Sequence, residues 1–205
     1  MTIKTIYFAS ANRNKIEEIQ RLIGSQYKLV SLSDLGIKDD IEETGTTYQE
    51  NAMIKARHLV ELGYSPVLAE DSGFEFEALN NNPGVYSKRM YPQPNDNEAM
   101  TQLLVDIKDS GNKSIQAFAV SCLILYANNE YHVQEVHVRG NVTTELKGTN
   151  GYMYDKVFCP EVVLAADYVN NYDNPKKLTY AEMTLKQRDR MSARNAAIDY
   201  LITLI

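Results

Sequence analysis

The first thirty residues constrain the fold more than any other stretch of the chain. A strand is predicted over residues 3–10, IKTIYFAS, and an amphipathic helix over residues 12–24, NRNKIEEIQRLIG, which ends at Gly24. A second strand, YKLVSL, is predicted over residues 27–32. A strand, a helix and a strand in succession favour an α/β fold in which some of the strands pair in parallel.

The same alternation continues along the chain. A helix is predicted over residues 46–63, where Thr47 and Glu50 form a capping box. A strand, PVLAED, follows over residues 66–71. A further helix is predicted over residues 96–109, and a hairpin that turns at Asn128-Asn129 is predicted over 114–127 and 130–146. A loop rich in glycine and tyrosine follows over 147–160, and a C-terminal helix is predicted over 188–203.

Length and charge limit what kind of protein this is. A chain of 205 residues with 44% hydrophobic residues is long enough for one domain with a sizeable core. Its net charge of -6 argues against a nucleic-acid polymer as partner, because such binding needs a basic surface. The longest apolar stretch, residues 117–127, is too short to cross a membrane.

Neither the N-terminus nor the cysteines indicate export. The N-terminus reads directly as a strand and lacks the apolar core of a signal peptide, so we expect a cytoplasmic protein. Cys122 and Cys159 match no metal or redox spacing, and we expect buried thiols.

The turn between the first strand and helix could bind an anion. Ser10 and Asn12 offer polar groups, and Arg13 and Lys15 lie at the start of the helix, where cations oppose the helix dipole unless an anion binds there. The alternative is that Asn12 only caps the helix and that both cations are solvated.

Acidic residues gather in two places further along. Glu70 and Asp71 are adjacent at the end of the strand over residues 66–71, where alternation puts their side chains on opposite faces. A carboxylate at the tip of a strand suits a hard cation such as Mg²⁺, and an ordinary turn-forming aspartate is the alternative. Glu42 and Glu43 precede the helix that carries Asn51 and Lys55 on one face.

Aromatic and basic residues lie close together in the last quarter of the sequence. Tyr152, Tyr154 and Asp155 could contact a nucleotide base, although tyrosines in such loops more often pack. Further basic and polar side chains that could reach the same place are Arg188, Ser192 and Arg194.

Five blocks in this order resemble the inosine triphosphate pyrophosphatase family, which hydrolyses noncanonical purine nucleoside triphosphates. They are FASANRNKIEEI, EETGTTYQENAMIKARHL, AEDSGFEFEALNNNPGVYSKRMY, GTNGYMYD and MSAR, and they run from residue 6 to about residue 197. The resemblance implies a single pyrophosphatase domain over residues 1–205. It also implies an elongated mixed β-sheet with flanking helices, two lobes around a central cleft, a homodimer, and Mg²⁺-dependent release of pyrophosphate.

The resemblance also implies roles for individual residues. Ser10, Asn12 and Lys15 match the phosphate loop, and Lys55 matches a helix lysine that binds the triphosphate. Asp71 matches the catalytic aspartate, with Ser72 beside it on the substrate. A metal-binding glutamate matches Glu42 or Glu43, and we favour Glu43 as metal ligand together with Asp71.

The chain departs from the family pattern at the end that contacts the base. Tyr152 and Met153 stand where the family usually has phenylalanine and glycine, and Arg188 replaces a lysine. Ala193 replaces a histidine that helps to contact the purine. We therefore expect intact pyrophosphatase chemistry with altered or relaxed base selection.

Two other interpretations remain at this point. One is a Maf-like pyrophosphatase that acts on pyrimidine or modified nucleotides. The other is a nucleotide-binding module without catalysis, against which the retained acids and lysines argue.

Overall fold

The computed structural model describes residues 3–38, 41–92, 95–151, 153–165, 168–170 and 174–205. The chain divides into two compact units. The first unit comprises residues 1–71, 121–135 and 194–205, and the second comprises residues 72–120 and 136–193. The predicted cleft between two lobes stays a prediction.

The first unit opens as predicted from the sequence. Strand β1 (Lys4–Phe8), helix α1 (Arg13–Ile23) and strand β2 (Tyr27–Ser31) follow one another, and β1 pairs in parallel with β2. Helix α1 turns its buried Ile19 and Ile23 inward. This strand–helix–strand arrangement confirms the predicted parallel pairing.

Helix α2 (Tyr48–Glu61) is the next helix of the first unit and shows the predicted capping box. Thr47 Oγ1 accepts a hydrogen bond from the Glu50 backbone N–H, and the Glu50 side chain accepts one from the Thr47 N–H. Its small residues Ala52 and Ala56 are fully buried and pack in one cluster with Leu59, Val67 and others of the first unit. Small side chains there let the helix lie close to the sheet.

Strand β3 (Val67–Phe76) is longer than the sequence indicated. The prediction ended it at Asp71, but the strand continues and pairs antiparallel with β4 (Asn82–Gly84), with Phe74 opposite Gly84. The placement of the two acids at the tip of their own strand was therefore wrong. They lie instead just past the end of β1, whose pairing with β3 stops at Phe8 and Leu68.

The remaining elements complete a mixed sheet. Helix α3 (Asp96–Asp109) has the predicted bounds, and strands β5 (Gln116–Ala127) and β6 (Glu130–Val142) form the predicted hairpin. Asn128 and Asn129 have positive φ values of 53° and 65°, as a two-residue hairpin turn needs. The strand order is β2-β1-β3-β5-β6-β7-β8, which confirms the predicted mixed α/β class.

Two predictions in the second half of the chain were wrong. The loop predicted over residues 147–160 includes a short 3₁₀ helix (Met153–Lys156) and the start of strand β7 (Phe158–Ala165), which pairs antiparallel with β6 and β8 (Tyr168–Asn170). The predicted C-terminal helix is two helices, α4 (Leu185–Arg190) and α5 (Ala193–Leu201). The hydroxyl of Tyr180 donates a 2.6 Å hydrogen bond to the Met191 carbonyl, so that carbonyl is used outside a continuous helix.

Both cysteines are buried and neither forms a disulfide, as expected. Among the helices of the described residues, none combines the length and the apolar character that a membrane span requires.

Candidate active site

Lys55 lies between two carboxylates in the first unit. Its Nζ is 2.9 Å from Glu43 Oε1 and 3.3 Å from Asp71 Oδ1. The other oxygen of Asp71, Oδ2, accepts a 3.2 Å hydrogen bond from Asn51 Nδ2. We call these four residues, Glu43, Asn51, Lys55 and Asp71, the carboxylate–lysine cluster. One ammonium faces two acids, so the cluster carries more negative than positive charge.

The start of helix α2 fixes the orientation of Asn51. Gly45 N–H donates a 2.8 Å hydrogen bond to Asn51 Oδ1, which leaves the amide nitrogen to face Asp71. A Cβ at Gly45 would lie 2.6 Å from Glu50 Cβ and 2.7 Å from Asn51 Oδ1. Only glycine allows this approach without a shift of the helix start. Because Asn51 and Lys55 are one helical turn apart, they reach Asp71 from the same face.

Asp71 is suited to accept a proton. Its burial raises its pKa, and this effect outweighs the opposing charges of Lys55 and Lys15. Nearby Glu43 raises the pKa further. A carboxylate with a raised pKa is a better base than an exposed aspartate, and such carboxylates are frequent at functional sites.

The residues predicted to form a phosphate loop have distinct positions. Asn12 caps helix α1, and its Oδ1 accepts from the backbone N–H groups of Asn14 and Lys15. Ser10 Oγ accepts a hydrogen bond from the Asn12 N–H. Arg13 is exposed and forms a 2.7 Å ion pair with Glu17, apart from the carboxylates described above. The Lys15 ammonium instead turns inward, toward Glu70.

Glu70 is the centre of a second buried group of charges. Its Oε1 accepts hydrogen bonds from Ser121 Oγ at 2.7 Å and from Arg194 Nε at 2.9 Å. Arg194 also pairs with Glu18, and Lys15 Nζ lies 3.5 Å from Glu70 Oε2. We call these five residues the Glu70 cluster. Burial alone would raise the pKa of Glu70, but the charges of Arg194 and Lys15, together with the hydrogen bonds from Ser121 and Arg194, outweigh it and lower that pKa to about 2.

The sequence predicted Lys15 and Arg194 as site residues but did not link them to Glu70, although one signal set Glu70 apart from Asp71. Strand alternation separated Glu70 from Asp71, and the two carboxylates indeed have different partners. Ser121 and Glu18 gave no signal in the sequence. Arg194, which the resemblance implied as a substrate contact, places its guanidinium between Glu18 and Glu70.

The donor set fits a hard divalent cation. Glu43 is half-buried and faces the same ammonium as Asp71, whereas Glu42 is exposed. Mg²⁺ is commonly held by one or two carboxylates, with water and substrate phosphates as its other ligands. Two carboxylates with a surplus of negative charge match that requirement. Among the described residues, no group of three or more histidine, cysteine or acidic side chains is arranged to hold a metal.

Among the described residues, those predicted to contact the base belong to the second unit, with the exception of Arg194. Arg188 Nη2 is 3.1 Å from Asp155 Oδ2, and its guanidinium lies over the ring of Tyr180. Gly151 has a φ of +68°, and a Cβ there would come within 2.2 Å of Asp155 Oδ2. Glycine therefore leaves room for the Asp155–Arg188 pair.

The remaining predicted substrate contacts differ in burial. Tyr154 is buried, stacks on Phe74 with ring centroids 4.8 Å apart, and donates a 2.8 Å hydrogen bond to the Ser87 carbonyl. Ser72 and Ser192 are half-buried. Tyr152 lies outside the described residues.

Comparisons with known proteins agree with these features. The model of the Ham1 family matches residues 6–204. A protein of Flavobacterium psychrophilum named dITP/XTP pyrophosphatase is 36% identical over 198 residues, which cover 96% of each chain. A protein of Legionella pneumophila with the same name is 35% identical and covers 99% of each chain.

Solved structures agree as well. The structure of a HAM1 protein from Coxiella burnetii is similar with a TM-score of 0.81 and 30% identity, and the match covers 98% of each chain. The Staphylococcus aureus Ham1 protein matches with a TM-score of 0.78 and 30% identity, over 98% of this chain and 97% of the other. The predicted resemblance and the predicted class of enzyme, a pyrophosphatase, are thereby confirmed, and the chain belongs to the Ham1 family.

Proposed function

We propose that this protein hydrolyses noncanonical purine nucleoside triphosphates to the monophosphate and pyrophosphate. The observation that carries the proposal is the carboxylate–lysine cluster, in which Asp71, with its raised pKa, and Glu43 share the ammonium of Lys55. The names of the relatives, dITP/XTP pyrophosphatases, supply the substrate class. The matches do not favour the Maf-like alternative.

In this mechanism the two lysines bind the triphosphate and Asp71 activates water. Lys15 is a half-buried cation and Lys55 a buried one, both in the first unit, and each can donate to phosphate oxygens. Asp71 accepts a proton from water as the water oxygen bonds to the α-phosphorus. The bond from the α-phosphorus to the oxygen that bridges to the β-phosphorus breaks, and pyrophosphate leaves with that oxygen.

The residues that would hold Mg²⁺ are Glu43 and Asp71. When bound, the ion would neutralise negative charge on the phosphate oxygens. Asn51 holds one oxygen of Asp71 and so keeps the carboxylate in a fixed orientation. We further propose that the protein acts in the cytoplasm, as a homodimer.

We propose that base selection differs from the family pattern. The support is the set of substitutions at Tyr152, Met153, Arg188 and Ala193, together with the pairing of Arg188 to Asp155. The planar guanidinium of an arginine presents several N–H donors to a carboxylate in a fixed arrangement, whereas the ammonium of a lysine does not. Base contact by Asp155 and Arg188, and by Tyr152, Tyr154 and Ser192, remains a prediction.

Pyrophosphate release from a panel of nucleotides tests this function. The panel is ITP, XTP, dITP, GTP, ATP, dUTP and UTP, each with Mg²⁺ and with excess chelator. We expect turnover of the noncanonical purine nucleotides that requires the metal. Asp71→Asn should lower kcat by about 10²–10⁴-fold, the usual contribution of a general base. Asp109→Asn, an exposed aspartate on α3, is the matched control. Binding of nucleotide without release of pyrophosphate would instead indicate a binding module.

A further inference from the structure

Glu70 has an incompletely satisfied carboxylate in a fully buried position. Its side chain is 0% exposed. Oε1 is fully used by Ser121 and Arg194, whereas Oε2 accepts no hydrogen bond from any described residue. The Lys15 ammonium lies 3.5 Å from Oε2. That distance exceeds the roughly 2.7–2.9 Å of a charge-assisted hydrogen bond.

This arrangement holds Lys15 in place without using up its donors. Lys15 is only 15% exposed, so it cannot rely on water to keep its charge. Burial lowers the pKa of Lys15, and Glu70 is the carboxylate that opposes this effect most strongly. Since the contact is loose, the ammonium retains N–H groups for a further acceptor.

The rest of the Glu70 cluster fixes Glu70 itself. Ser121 approaches from strand β5, and Arg194 approaches from the start of helix α5. Arg194 is held in turn by Glu18, which lies one helical turn beyond Lys15 on α1. Three elements of the first unit therefore converge on one carboxylate, and each ion has an oppositely charged neighbour.

We propose that Glu70 is a positioning residue, which holds Lys15 ready to bind the triphosphate chain of the substrate. Arg194 takes part by anchoring Glu70. This inference rests on the proposed function, because it assigns a triphosphate as the ligand of Lys15. It adds a residue that acts through Lys15 and differs from Asp71 in role.

A double-mutant cycle tests this coupling by the binding of inorganic triphosphate, followed by calorimetry. The variants are Glu70→Gln, Lys15→Met and the double variant. Loss of one charge-assisted contact to phosphate weakens binding by about ten- to hundredfold. We expect Lys15→Met to reach that loss and Glu70→Gln to approach it. The double variant should bind no more weakly than Lys15→Met alone, because Glu70 acts only through Lys15.

A purely structural role for Glu70 predicts a different result. The losses of the two single variants would then multiply in the double variant, and the proposal would be overturned. Unchanged binding by folded Glu70→Gln would overturn it too. The matched controls are Glu61→Gln and Lys28→Gln, which replace exposed charges and should leave the Kd unchanged.

A milder variant covers the case in which Glu70→Gln does not fold. Ser121→Ala removes one hydrogen bond to Glu70 and keeps every charge. It should weaken triphosphate binding a few-fold in the wild-type background and not at all with Lys15→Met, and an equal loss in both backgrounds would overturn the proposal. A wild-type protein that binds inorganic triphosphate but releases no pyrophosphate from nucleotides would refute the proposed function alone. Absence of triphosphate binding would refute the positioning role.

Discussion

The carboxylate–lysine cluster of the first unit and the Asp155–Arg188 pair of the second differ in charge balance. In the first, two carboxylates share one ammonium, and the pKa of Asp71 is raised. In the second, one carboxylate faces one guanidinium, which also lies over an aromatic ring. An unbalanced cluster can bind a further cation and accept a proton, whereas a balanced pair has no such need.

The sequence shows the same contrast. The residues that match the family pattern for phosphate and metal, Lys15, Glu43, Lys55 and Asp71, are retained, and all belong to the first unit. Arg188, a departure from the pattern, belongs to the second unit. The comparison suggests that triphosphate chemistry and base selection can be altered separately. The predictions below test that separation, from the largest expected effect to the smallest.

Among the changes below, removal of the shared cation should have the largest effect. Lys55→Gln deletes the ammonium that contacts both Glu43 and Asp71. We expect kcat/KM to fall by about 10²–10³-fold, as for the loss of two charge-assisted contacts. The loss should be the same for every nucleotide of the panel, because the proposed partner of this lysine is phosphate and not the base. Lys28→Gln is the control, and a loss confined to one base would contradict the separation.

The contribution of the Glu70 cluster to stability should depend on pH in the acid range. The pKa of Glu70 is lowered to about 2, below its ordinary value of 4.5. A carboxylate whose pKa is lower in the folded than in the unfolded protein stabilises the fold at pH values above its pKa in the unfolded chain. This contribution is lost as the pH falls through its pKa in the folded protein. Above pH ~4.5, the free energy of unfolding of the wild type should exceed that of Glu70→Gln by on the order of 3 kcal/mol.

Urea denaturation at a series of pH values measures this difference. The gap in the free energy of unfolding between wild type and Glu70→Gln should shrink steadily between pH ~4.5 and ~2. Glu61→Gln should follow the wild type throughout. A gap that stays constant across this range would mean that the charge of Glu70 does not contribute to stability.

Two glycines offer a matched pair of smaller changes. Gly45→Ala would push on Asn51, which orients Asp71, and Gly151→Ala would push on Asp155. Such overpacking typically costs about 1–3 kcal/mol of stability. We expect Gly45→Ala to lower kcat for all nucleotides alike, and Gly151→Ala to change the ratio between bases. Steady-state kinetics on the panel distinguish these outcomes, and an exchange of the two patterns would contradict the comparison.

Much of the first unit could be predicted from the sequence, because its signals are local. The parallel β1–α1–β2 opening, the capping box at Thr47 and the turn at Asn128-Asn129 each depend on residues close together in the chain. The residues predicted to bind phosphate and metal were assigned through the order of the five blocks. Their contacts with one another were not predictable in detail, although the shared helical face of Asn51 and Lys55 was.

The features that sequence reasoning missed depend on distant residues. Arg194 reaches Glu70 across 124 positions. The break between α4 and α5 accompanies a hydrogen bond from Tyr180, and the extension of β3 to Phe76 reflects pairing with β4. Such contacts cannot be predicted from the propensities of neighbouring residues. The predicted end of β3 and the predicted single C-terminal helix were therefore wrong.

The smallest expected effect tests the separation most directly. Arg188→Lys restores the lysine of the family pattern and exchanges the planar donor on Asp155 for a single ammonium. The measurement is the ratio of kcat/KM for dITP to that for GTP, in wild type, Arg188→Lys and Lys55→Gln. We predict that Arg188→Lys changes this ratio by about three- to tenfold, the scale of one altered contact, and that Lys55→Gln lowers both values and leaves the ratio unchanged. A ratio that moves with Lys55→Gln and not with Arg188→Lys would contradict the account.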